Sequence, residues 1–157
     1  MLPWYRRIDA DWPRVVLVMG AFSPAGAGAP TPVAANASSS VPNFPGDAAA
    51  NKGWGPAGFG KYIASVVRTS AGLFTVTFSG VGKVWLGGGA DLLTDDATHT
   101  FWCQGSGNMN IAAKTWQILT LQSSGAVPGA AVVDIPNTSK PVISFWAAFA
   151  QSDQGVE

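Results

Sequence analysis

Residues 63–78 read IASVVRTSAGLFTVTF, and this stretch decides the fold class. YIASVVR (62–68) and LFTVTFS (73–79) are rich in β-branched and aromatic residues, and TSAG between them is a short turn with Gly72 available for positive φ. The combination predicts a β-hairpin. In its second strand Phe74, Val76 and Phe78 share one face while Leu73, Thr75 and Thr77 share the other, which gives one buried side and one more polar side.

Toward the C-terminus the same texture repeats. Strands are predicted over 83–86, 98–103, 114–122, 131–134 and 141–150. In 114–122, Trp116 and Ile118 face one way and Leu119 and Leu121 the other, so that strand is expected to be covered on both sides. Glycine clusters read as turns between strands: GVG at 80–82, GGG at 87–89 and GSGN at 105–108. No helical period of useful length is present. Residues 60–157 are therefore predicted to form an all-β domain, an antiparallel β-sandwich or jelly roll.

Toward the N-terminus the composition shifts. Between residues 20 and 60 about seven residues in ten are Gly, Ala, Pro or Ser, and eight of the 11 prolines fall at or before Pro56. Such a stretch buries too little to offset its ordering entropy, so residues 1–59 are predicted to be an extended anchoring arm. Within it, RVVLVMGAF (14–22) has strand length and strand composition. It is too short to cross a bilayer, which takes about 20 residues. As a signal-peptide core it would have Arg6, Arg7 and Arg14 before it and small residues after it. Asp9 and Asp11 interrupt that charged region, and a strand or arm anchor is the better reading.

Nine basic residues balance nine acidic ones, and only 11% of the 157 residues are charged, against roughly 25% in ordinary domains. A neutral chain argues against nucleic acid and against a polybasic membrane anchor. The single Cys, Cys103, excludes an internal disulfide, and no Cys or His partner stands at zinc spacing. Cys103 reads as a small buried hydrophobe. With one His, His99, and one Glu, Glu157, acid–base and nucleophilic chemistry has few candidates, so no catalytic residue and no cofactor is expected. So little charge cannot clothe an isolated monomer, which is expected to self-associate.

The sharper motifs weaken on inspection. GVGKV (80–84) lacks the spacing of a phosphate loop, because Thr77 stands where Gly is needed and Val84 where Ser or Thr is needed. Asp91, Asp95, Asp96 and His99 are the densest ionisable group, but no calcium-loop pattern accompanies them, and a solvated loop without metal is expected. Asn36-Ala37-Ser38 and Asn137-Thr138-Ser139 match a glycosylation acceptor, a short pattern that arises often by chance. Among the seven Trp, Trp102, Trp116 and Trp146 lie in strand patterns and are expected in the core. Trp4, Trp12, Trp54 and Trp85 lie in the arm or in turns, where a monomer would leave them wet.

IASVVRTSAGLFTVTF, preceded by the Pro/Gly/Ala-rich PAGAGAPTPV, resembles a segment of small structural proteins of tailed bacteriophages. The likeness extends more weakly to WQILTLQSSGAVPG and VISFWAAFA. GVGKVWLGGGADLL departs from it, where relatives tend to show a charged continuation. The resemblance implies a virion component of the capsid decoration (cement) or head-fibre type, assembled in the host cytoplasm, homotrimeric, with major capsid or other virion proteins as partners. Trp4, Tyr5, Arg6, Arg7 and Trp12 would be arm contacts, with Trp54 and Phe59 at the junction. Deleting residues 1–40 is then expected to leave a folded domain that no longer joins particles. The alternative is a carbohydrate-binding adhesin or fibre-tip module, with Trp85, Asp91, Asp95 and His99 as the sugar site.

Overall fold

The computed structural model describes residues 14–24, 26–32, 62–82, 84–123 and 130–151. Nine strands run through them: β1 (Arg14–Ser23), β2 (Thr31–Pro32), β3 (Ile63–Ser70), β4 (Leu73–Phe78), β5 (Val84–Leu93), β6 (Phe101–Asn110), β7 (Thr115–Ser123), β8 (Ala130–Val132) and β9 (Val142–Gln151). A single 3₁₀ turn, Asn137–Ser139, lies between β8 and β9. One sheet has the order β2-β1-β9-β5 and the other β3-β4-β7-β6, with β8 paired to the end of β7. All pairings are antiparallel. The protein is an all-β sandwich of two antiparallel sheets, as its strand texture predicts.

The hairpin of 63–78 forms with its face assignment intact. Phe74, Val76 and Phe78 are buried, and the residues between them are half-buried. Gly72 takes φ 63° at the tip, where a side chain would be strained and would strike the backbone of Val133. Asp134 fastens that tip from outside. Its carboxylate accepts hydrogen bonds from Nε of Arg68 at 2.8 Å, from Nη2 of the same guanidinium at 2.5 Å and from the backbone N–H of Gly72 at 2.9 Å. Between the sheets, Phe22 meets Phe74 and Phe78 meets Phe149, each with ring centroids 5.1 Å apart. Such tilted and edge contacts add about 0.5–1.5 kcal/mol beyond the area they bury.

Three sequence readings are corrected. RVVLVMGAF, assigned to the arm, is a full member of the sandwich: β1 lies between β2 and β9 and sends Val18 and Phe22 into the core. Deleting residues 1–40 would remove that strand and its core side chains. The GGG and GSGN clusters are not turns but parts of β5 and β6. There the missing side chains make room for indole rings from elsewhere in the chain. A Cβ on Gly105 would fall inside the ring of Trp116, one on Gly88 against Trp85, and one on Gly89 against Trp146. Finally, Trp85 and Trp146 exchange their expected places. Trp85 turns inward onto Trp116 and Phe149, at 5.5 and 5.4 Å, while Trp146 points outward and is 45% exposed. In β9 the inward positions belong to Ile143, Phe145, Ala147 and Phe149, and the two-residue period leaves Trp146 outside.

Candidate functional site

The most distinctive surface is the outer face of the first sheet. On β1 the side chains that alternate with Val18 and Phe22 are Val15, Leu17 and Met19, which are 60, 58 and 54% exposed. Strand registers carry them across β9 to β5 in rows. Val15 faces Ala150 and then Val84; Leu17 faces Ala148 and then Gly87; Met19 faces Trp146 and then Gly89. These three rows hold no polar side chain. The fourth, Ala21–Ser144–Asp91, holds the only carboxylate on this face among the described residues, and Leu93 opposite Val142 closes the far end. Leu86, displaced by the irregularity between Trp85 and Gly87, is exposed beside the rows.

Three ten-residue strands at a spacing of about 4.8 Å and a rise of about 3.3 Å per residue give the face a projected area of roughly 450 Å². Its apolar rows make up part of that area, a patch of the size that is often functional even on an ordinary monomer. Its relief is uneven. Trp146 lies across Gly89, where a Cβ would touch its indole nitrogen edge, while the position over neighbouring Gly87 is open. The indole of Trp146 therefore stands one row away from an open position at Gly87 that carries no side chain.

The ionisable loop is built differently. Asp96 accepts the backbone N–H groups of Thr98 (2.8 Å) and His99 (2.9 Å) and the hydroxyls of Thr98 and Ser139, both at 2.9 Å. These donors, led by the N–H and hydroxyl of Thr98, hold its carboxyl far below the usual carboxylate range against the opposing effect of desolvation. His99 Nδ1 lies 3.2 Å from the Asp96 carboxylate and 2.8 Å from the Thr98 hydroxyl. The hydroxyl of Ser139 donates to Asp96 and not to His99, so these groups do not form a nucleophile–base relay. Their work is to pin the loop 94–99 to the Asn137–Ser139 turn, assisted by the Thr94 hydroxyl on the Ser139 carbonyl. Among the described residues no three His, Cys, Asp or Glu side chains gather as metal ligands.

Of the sugar-site residues, Asp95 and His99 share this exposed loop, Asp91 lies on the outer face opposite Ser144, and Trp85 is on the opposite, inner side of β5. The structure does not bring Trp85 to the three polar groups. Trp4, Tyr5, Arg6, Arg7, Trp12, Trp54 and Phe59 lie outside the described residues. Cys103 is buried in the core, and burial first, with the negative charge of Asp91 second, pushes its thiol up to about 12. A cleft of about 240 Å³ between residues 27–30 and Val66, Val67 and Arg68 has one charged group, Arg68, already committed to Asp134.

No family model, no curated protein and no solved structure matches the chain. The outer-face residues Val15, Leu17, Met19 and Trp146 escaped the sequence reading, although a signal was present. RVVLVMGAF and VISFWAAFA are apolar at odd and even positions alike, which marks strands covered on both faces.

Proposed function

We propose that this chain is a structural subunit of a tailed-phage particle, of the capsid decoration type, and acts by burying the outer face of β1, β9 and β5 in the assembly. The observation that carries the reading is the three consecutive rows without a polar side chain. The phage context rests on the resemblance of IASVVRTSAGLFTVTF alone. An assembly role also accounts for the low charge, because a surface destined for contact gains nothing from charged groups that must be desolvated. In this reading the protein works without a cofactor as a homotrimer held to capsid or other virion proteins. Many symmetric copies of a modest contact stabilise a shell through multivalency.

The test is quantitative mass spectrometry on density-purified particles of the phage that encodes the chain. The expected result is a fixed stoichiometry relative to the major capsid protein. Recovery only as free protein in the lysate overturns the reading.

A further inference from the structure

We draw no further inference here: the strongest candidate, the unpartnered apolar outer face of β1, β9 and β5 around Trp146, already carries the assembly reading above, and nothing in the structure shows what covers it.

Discussion

Gly105→Ala is the perturbation with the clearest consequence in this fold. Gly105 lies in β6 against Trp116, which is 1% exposed and whose indole N–H donates to the carbonyl of Ser106 at 2.8 Å. A methyl group at 105 would occupy the volume of the indole's six-membered ring. The ring cannot step aside, because Trp85 and Phe145 pack against it, with centroids at 5.5 and 6.4 Å. Overpacking of this kind costs about 1–3 kcal/mol, and displacing the indole from its carbonyl costs about 1 more. A loss of about 3 kcal/mol lowers the melting temperature of a domain this size by roughly 6–12 °C. The matched control is Gly107→Ala in the same strand, where a Cβ meets nothing within 4 Å and a small gain in strand propensity is expected. Urea unfolding of both variants, with Trp116→Phe added to Gly105→Ala in a double-mutant cycle, measures the contact directly. The phenyl ring should recover at least about 1 kcal/mol of the loss. If Gly105→Ala melts with the parent, or if the two alanine variants behave alike, the ring does not occupy the glycine's space and the reasoning fails.

Thr120 is fully buried, and its hydroxyl donates to the carbonyl of Val133 at 2.5 Å, so Thr120→Val should destabilise by about 1–2 kcal/mol in chemical denaturation. Asp134, held low chiefly by its hydrogen bond from Arg68, and Asp96, held low chiefly by Thr98, contribute stability that is complete above the ordinary carboxylate value of 3.8. That contribution should disappear as the pH falls below 3.8 through the depressed folded values, and Asp134→Asn should flatten the melting-temperature profile there. Cys103 should resist a thiol-specific reagent at neutral pH in the native protein and react fully in urea; fast native labelling would contradict its burial and its raised thiol value. A chain that starts after Ser23 should lose cooperative unfolding altogether, because β9 would lose a partner along nine residue pairs together with Val18 and Phe22.

The strands were legible because their signal is local. Alternation in LFTVTF names the buried face of β4 without any knowledge of its neighbours, and the structure places β3, β4, β7, β8 and β9 along the predicted runs with bounds within two residues, whereas β5 and β6 run seven residues past the predicted ends at 86 and 103. The glycines were not legible, because their reason lies elsewhere in the chain. Gly105 and Trp116 are adjacent only through the β6–β7 pairing, and a strand glycine that receives a ring looks in sequence like a turn glycine. The apolar outer face was missed for a related reason. Trp146 in an apolar run implies burial, but parity within the run decides which side of the sheet the ring takes. Only the placement of Phe145 and Ala147 in the core fixes that parity.

The pairing of β1 with β9 also dictates a schedule. β3 with β4, and β6 with β7, close over short turns and form soon after their residues appear. β1 waits for a partner more than 100 residues away, from Arg14 opposite Gln151 to Phe22 opposite Ile143. Closing so long a loop is slow, and nothing joins β1 to β5 in the first sheet until β9 has been made. Through most of synthesis, then, VVLVMGAF is an apolar strand without its neighbour, and products that stop before β9 should be found in the insoluble fraction.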